Sequence, residues 1–380
     1  MTAGSPSPLP PEPAPAARTR RGCLLPLLLL ALLASLGLNL AGLLVYLGVV
    51  DDPLGADPDA LNERFYLGDP KATDKIAVVR VTGVLNEAGI QYPIRQLEAA
   101  ARDPSVKAVV LRVDSPGGTV MASEELYQNI LNLRDNTGRR FTGSGPKPVC
   151  TSMGALATSG GYYIAVAGKP IAAEPTTITG SIGVFVALPN VAGWTKEHGI
   201  RLELIKAGGL KASGSFFHEL SPQERQTWQD VVDRAYEQFL DTIAAGRPGL
   251  SPQVLRERVV IDRLIPKRDE KGNPLGGEVP YRRVLADGGT FTAREARDFG
   301  LIDTIGDLPA TIRACATAHG LRTFKAVVYD RRPGLIERFT GLEVRTRSPL
   351  PDPGDWAAML TPRLWYLAPV ADAGLLQPGH

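Results

Sequence analysis

Two glycine pairs and one serine are the residues of this chain best suited to chemistry. Asp114-Ser-Pro-Gly-Gly118 follows directly on the apolar run Lys107–Val113. Thr158-Ser-Gly-Gly161 lies just before a helical stretch that opens at Tyr162. Glycine lets a backbone turn sharply and approach a ligand closely. A serine at the start of a helix sits where free N–H groups and the helix dipole favour negative charge. Ser159 is therefore a candidate nucleophile. The N–H groups of Gly160, and of Gly117 or Gly118, are candidate donors to an oxyanion, each worth about 3–4 kcal/mol in measured cases. The same glycines suit tight turns needed only for packing, and the residues alone leave both readings open.

A serine nucleophile needs a base. The histidines are His198, His218, His319 and His380, and none has a metal-ligand spacing such as H-E-x-x-H. His198 lies in Lys196-Glu-His-Gly199, a polar helix end. His218 follows Phe216-Phe217 in a loop-like stretch. Both are poor candidates for a base. A lysine can replace histidine if burial lowers its pKa. Lys206 and Lys211 stand around the turn Ile205-Lys-Ala-Gly-Gly-Leu-Lys211, and from the residues alone either is most simply read as a solvated lysine. The three cysteines, Cys23, Cys150 and Cys315, are too few and scattered for a disulfide framework or a zinc site and read as small hydrophobes. No metal and no cofactor is expected.

The elements that must position these residues alternate strand and helix. Ile76–Val84 is β-branched and predicts a strand, and Ile94–Arg102 has helical spacing. Lys107–Val113 and Pro148–Met153 read as buried parallel strands. Met121–Leu133 is helical, and a helix opens over Tyr162–Ala167. Ile171–Ala173 and Arg201–Lys206 predict further strands. Ser221-Pro-Gln-Glu224 is a capping box with proline in the first turn. The helix it starts carries Trp228, Val231, Val232, Ala235, Phe239 and Ile243 on one face and stops at Gly246. Thr292-Ala-Arg-Glu295 repeats the box before a helix ending at Gly300. Such alternation implies an α/β fold with covered sheets.

The 380 residues carry a net charge of +2, which gives no reason to expect a nucleic-acid partner. Residues 1–22 are expected to be a disordered cytoplasmic N-terminus, rich in proline and alanine and ending in Arg18, Arg20 and Arg21. Cys23–Val50 holds no charged residue, and about 20 apolar residues suffice to cross a bilayer. Residues 23–50 are accordingly expected to be an uncleaved transmembrane helix in the plasma membrane. The preceding arginines would stay cytoplasmic, with the remainder extracytoplasmic. Residues 51–74 are expected to be a linker, 75–330 the catalytic domain, and 331–380 a Pro-rich tail.

From about Ile76 to Asp307 the chain resembles the signal peptide peptidase A family in its short, membrane-anchored form. The matching segments are VRVTGVL, KAVVLRVDSPGG, TSMGALATSGGYYIAVAG, EPTTITGSIGVF, IKAGGLKASGS and FTAREARDFGLID. The resemblance implies a Ser-Lys dyad peptidase with Ser159 as nucleophile and Lys211 as base, Lys206 being the upstream lysine of that block. It implies that Ser181 helps hold the lysine amine and that Gly118 and Gly160 supply the oxyanion hole. It further implies a fold of repeated ββα units like those of Clp protease and crotonase. The family forms a homo-oligomer whose short members share each dyad between neighbouring subunits. Substrates would be signal-peptide remnants and other unfolded hydrophobic segments. Three regions depart from the family pattern: Arg134–Lys147, Arg263–Arg283 and the C-terminal 40 residues. The rival readings are a catalytically silent membrane-anchored scaffold and an acyl-CoA enzyme of crotonase type.

Overall fold

The computed structural model describes residues 24–46, 61–141, 145–269, 271–331 and 364–367. Helix α1 (Leu24–Tyr46) belongs to one compact unit, and every other described element belongs to a second. In the second unit β1 (Leu61–Gly68), β2 (Lys75–Thr82), α2 (Gln91–Arg102), β3 (Val106–Ser115) and β4 (Gly117–Thr119) lead into α3 (Val120–Asp135). There follow β5 (Val149–Thr158), α4 (Gly160–Ala165), β6 (Ile171–Ala173), β7 (Ile178–Gly180), β8 (Phe185–Val186) and α5 (Ala192–Glu197). The long helix α6 (Pro222–Gly246) precedes α7 (Pro252–Glu257), β9 (Val259–Arg268), β10 (Pro274–Val284) and β11 (Thr290–Thr292). The last elements are α8 (Ala293–Phe299), β12 (Thr304–Ile305), α9 (Leu308–Ala318), β13 (Lys325–Arg331) and β14 (Leu364–Leu367).

The main sheet runs β1-β13-β2-β3-β5-β6-β12, parallel from β13 to β12, with β1 antiparallel on the edge. Its central strands read as continuous apolar runs because both faces are covered. Side chains alternate between faces. Ala77, Val79, Val109 and Leu111 join a large core with α2, α3, α4 and α6, whereas Ile76, Val78, Ala108 and Val110 face Ile312 and Ala316 of α9. The fold is a mixed α/β architecture with a parallel-rich sheet.

Both capping boxes form. Ser221 and Glu224 satisfy each other's backbone N–H groups at the start of α6, and Thr292 and Glu295 do so at α8. Arg201–Lys206 forms no strand: Leu202, Leu204 and Ile205 are exposed and meet no partner strand. The Arg263–Arg283 insertion lies within a two-stranded hairpin, β9 with β10. Leu61–Gly68, expected in the linker, is an edge strand paired with β13, and Leu364–Leu367, expected in the tail, is paired with β4 and β8.

The reading of all three cysteines as unpaired hydrophobes is corrected. Cys150, at the start of β5, and Cys315, in α9, form a disulfide with Cα atoms 6.1 Å apart, bridging 165 residues of sequence. The sheet face and α9 bring together two side chains that sequence separation conceals. Cys23 lies outside the described residues, as do residues 1–22, residues 51–60 of the expected linker and most of the expected tail. Among the residues described in full, no helix is long and apolar enough to cross a membrane. The backbone of α1 is helical over 23 residues, none charged.

Removing the disulfide with Cys150→Ala/Cys315→Ala is expected to lower the unfolding free energy by about 2–5 kcal/mol. Urea denaturation of the two chains checks this as a fall in midpoint. An unchanged midpoint would show that the bridge does not form.

Candidate active site

β5 carries the candidate nucleophile, and an irregularity aims it. Thr151–Met153 pair with Ile171–Ala173 of β6, but Leu156–Thr158 pair with Ile178–Gly180 of β7. Between them the register against β3 slips, so that Val113 faces Met153 and Ser115 faces Ala157. The Asp114 carboxylate accepts the Leu156 N–H at 3.0 Å and closes the gap. Extra residues on one strand bend it, here away from β6 and onto β7. Threonines pin the new partnership. Thr177 donates to the Gly154 carbonyl and Thr179 to the Ala157 carbonyl, each at 2.6 Å.

Thr158 and Gly180 are the last pair of this ladder, and a serine follows on each strand. Ser159 and Ser181 both have φ of 52°. A non-glycine residue held there costs about 1–3 kcal/mol and persists only where its surroundings over-determine it. Those surroundings are backbone hydrogen bonds. The Ser159 N–H donates to the Gly180 carbonyl, and its own carbonyl accepts the Tyr163 N–H, both at 2.8 Å. The Ser181 N–H donates to the Gly289 carbonyl, also at 2.8 Å. Asp287 fixes that last turn by accepting the Gly289 N–H and two hydrogen bonds from Arg283. Burial pushes the Asp287 carboxyl up, but the Arg283 and Gly289 donors outweigh it and leave its pKa below the ordinary value.

Ser159 is buried, and its hydroxyl has no hydrogen-bond partner among the described residues. A buried polar group of this kind costs about 1–3 kcal/mol and calls for an explanation. Its neighbours are donors. Gly160 opens α4, so its N–H has no intrahelical acceptor. Gly118 lies in β4, which is held by the Leu85 N–H to the Gly117 carbonyl and the Thr119 N–H to the Leu85 carbonyl, both at 2.8 Å. Polar groups alternate along a strand, so the N–H and carbonyl of Gly118 face the opposite edge. Packing demands these glycines too: a Cβ would strike the Leu85 carbonyl at Gly118, the Ser123 hydroxyl at Gly160 and the Ser115 carbonyl at Gly161. The packing reading of these glycines is thereby supported.

Ser159, Ser181, Gly118 and Gly160 are thus assembled at one end of the sheet, beside a cleft of about 380 Å³ lined by Ser181, Val184, Val232, Tyr236 and Leu367. Lys211 is not brought to them. It is exposed in a loop, as is Lys206, whose amine donates to the Gly209 carbonyl at 2.7 Å. His198 stacks on Trp194, and His218 contacts Glu224 at 3.2 Å. Neither histidine meets Ser159. Sequence reasoning missed Ser115, which accepts the Gly117 N–H at 3.1 Å and donates to the Gly83 carbonyl at 2.6 Å. It also missed Asp114 and Asp287. The first two lie within the D-S-P-G-G segment; Asp287 had no signal beyond the Asp-Gly-Gly turn. Cys150, Cys315 and His319 cluster, but the two sulfurs are bonded to each other and are not free thiolates.

A strained, buried serine thus stands beside backbone N–H groups at the end of a parallel sheet. The model of peptidase family S49 matches residues 143–256, a span holding Ser159, Ser181 and Lys211. A putative protease of Synechocystis is 31% identical over 270 residues, 70% of this chain and 83% of that protein. Protease 4 of Haemophilus influenzae is 36% identical over 211 residues, 54% of this chain but only 32% of that protein. A putative signal peptide peptidase SppA of Enterococcus faecium is 28% identical over 251 residues, covering 63% and 62% of the two chains. The chain belongs to peptidase family S49, the SppA family, and is a serine peptidase.

Ser159→Gly and Ser159→Ala are both expected to be inactive, yet to differ in stability. Glycine relieves the positive-φ strain that alanine keeps, so the glycine chain should be the more stable by about 1 kcal/mol after its own entropic cost. Thermal unfolding of the two variants side by side checks this. Equal midpoints would mean that the Ser159 backbone stores no strain.

Proposed function

We propose that the chain is a membrane-anchored serine endopeptidase in which Ser159 of one copy is activated by Lys211 of the partner subunit. The observation that carries this reading is the orphaned hydroxyl of Ser159, buried and held at positive φ while Lys211 stands exposed on a loop. Leu202, Leu204, Ile205 and Leu210, close to Lys211 in sequence, are exposed as well. An apolar loop carrying a lysine is suited to packing against another copy, which would bury the amine and favour its neutral form.

The neutral amine would take the Ser159 proton as the hydroxyl oxygen attacks a peptide carbonyl carbon. The Gly118 and Gly160 N–H groups would hold the negative oxygen that forms. The ammonium would return its proton to the leaving amine as the C–N bond breaks, leaving an ester on Ser159. Water, deprotonated by the same amine, would then release the peptide acid and regenerate the hydroxyl. Ser181, which follows the strand end paired with that of Ser159, would orient the amine.

Substrates of this reading are extended, unfolded hydrophobic peptides such as signal-peptide remnants. Helix α1 would be the anchor, a reading supported by its 23 uncharged residues. Its described side chains from 28 to 40 are exposed on all sides, as befits a helix meeting lipid. The Cys150–Cys315 disulfide favours an oxidising compartment outside the cytoplasm for the catalytic unit. A silent scaffold would have no use for a strained, unpartnered serine.

Ser159→Ala and Lys211→Ala chains, each inactive alone, are expected to regain peptidase activity when assembled together. Random mixing would restore roughly one interface in four. Hydrolysis of a hydrophobic fluorogenic peptide by co-expressed and separately expressed chains reads this out. No recovery on mixing would rule out a shared dyad, and full activity of Lys211→Ala alone would rule out lysine as the base.

A further inference from the structure

The loop that carries Lys211 has no strand to hold it, yet one end of it is gripped. Tight turns follow one another along it. The Lys211 N–H donates to the Gly208 carbonyl at 3.2 Å, Ser213 to Leu210 and Ser215 to Ala212, the last two at 3.0 Å. Whatever fixes the end of this run therefore bears on the lysine. That end is His218. Its carbonyl accepts from the Asn190 side chain at 2.9 Å, and the nearby Phe216 carbonyl accepts the Val191 N–H at 2.7 Å. Its ring Nε2 stands 3.2 and 3.3 Å from the two carboxylate oxygens of Glu224 in α6.

Glu224 is the acid of the α6 capping box and is buried. It accepts the N–H and the hydroxyl of Ser221 at 2.9 and 3.0 Å. The Ser221 N–H above all holds its carboxyl below the ordinary value, against the upward push of burial. An ionised carboxylate only accepts, so an Nε2–H faces it. The box itself needs no histidine. At α8, Glu295 accepts the same two donors from Thr292, each at 2.8 Å, without one. The added donor at α6 ties the lysine loop to the helix. Among the described residues, no other side chain from 199 to 218 bonds to α6. Packing is a poor substitute. A Cβ on Gly214 would lie 3.3 Å from the Trp228 ring, but the Ser213 hydroxyl and the Trp228 indole nitrogen are buried without partners. Each costs about 1–3 kcal/mol.

We propose that His218 is a positioning residue for Lys211: by donating to Glu224 it clamps the lysine loop to α6 and sets where the amine stands when it meets the hydroxyl of another copy. The proposal rests on the reading of Lys211 as the base. His218 touches neither substrate nor Ser159 and acts only through the loop. Its weight comes from the geometry of proton transfer. A reacting group misplaced by about 1 Å costs about a hundredfold in rate. A lysine on a run of turns, without a strand beneath it, is exposed to such an error unless the run is anchored. The clamp works within one chain, on the lysine of that chain, even where the lysine serves the neighbouring copy.

The test uses full chains and a hydrophobic fluorogenic peptide. His218→Ala in the otherwise intact chain is expected to lower kcat at least about tenfold with KM within about twofold. His218→Gln keeps an N–H donor at similar reach and is expected to return kcat to within about threefold of the parent. Co-assembly separates the clamp from general damage. Placed in the Ser159→Ala chain, which supplies Lys211, His218→Ala is expected to cut the restored activity at least about tenfold. Placed in the Lys211→Ala chain, which supplies Ser159, it is expected to change that activity by no more than about twofold. Equal losses in the two placements, or an unchanged kcat in the single variant, would overturn the proposal and leave His218 a mere support of the α6 cap. If the parent pair recovers no activity, the shared dyad fails by itself. The kcat of the single variant and its recovery with glutamine then decide the clamp.

Discussion

The end of the β5–β7 ladder is the constraint on which the rest depends. Thr158 and Gly180 are its last pair, and the next residue on each strand is forced to φ of 52°. Two serines are thereby set side by side where the sheet stops and α4 begins. β5 can reach β7 only because it slips against β3, and it can slip only because Asp114 takes the Leu156 N–H that the slip releases. The parallel core, the threonine pins and the Gly289 turn all serve to hold that junction. The outcome is a hydroxyl that is buried, strained and without a partner, with glycine N–H groups beside it.

Much of this was legible from residue pattern. The runs at Lys107–Val113 and Pro148–Met153 are mostly apolar because both sheet faces are covered, and they became β3 and β5. Ile171–Ala173 became β6 without change. The two capping boxes were readable because a cap is a contact over three residues, which sequence displays directly. Ser159, Gly160 and Gly118 were named from glycine pairs at strand ends, and Ser181 from the family resemblance; Ser159 and Ser181 end adjacent strands.

Long-range pairing was not legible. Cys150 and Cys315 are 165 residues apart, and nothing near either one announces the other. β1 has a polar, mostly exposed pattern typical of an edge, and its partner β13 lies more than 250 residues away. β14 looked like tail because four residues among prolines carry no periodicity; its pairing with β4 and β8 gives it meaning. Arg201–Lys206 failed in the opposite sense, with strand-like alternation but no strand edge to accept it. Lys211 lies on the loop that follows and is exposed, which no local pattern announced.

The most direct measurement of the central claim is the site of covalent modification by a fluorophosphonate, read by peptide mapping and mass spectrometry of the assembled protein. A strained nucleophile with adjacent backbone donors predicts a single adduct on Ser159, missing in the Lys211→Ala assembly. An adduct on another serine, or unreactive Ser159 in an assembly that still cleaves peptides, would contradict it.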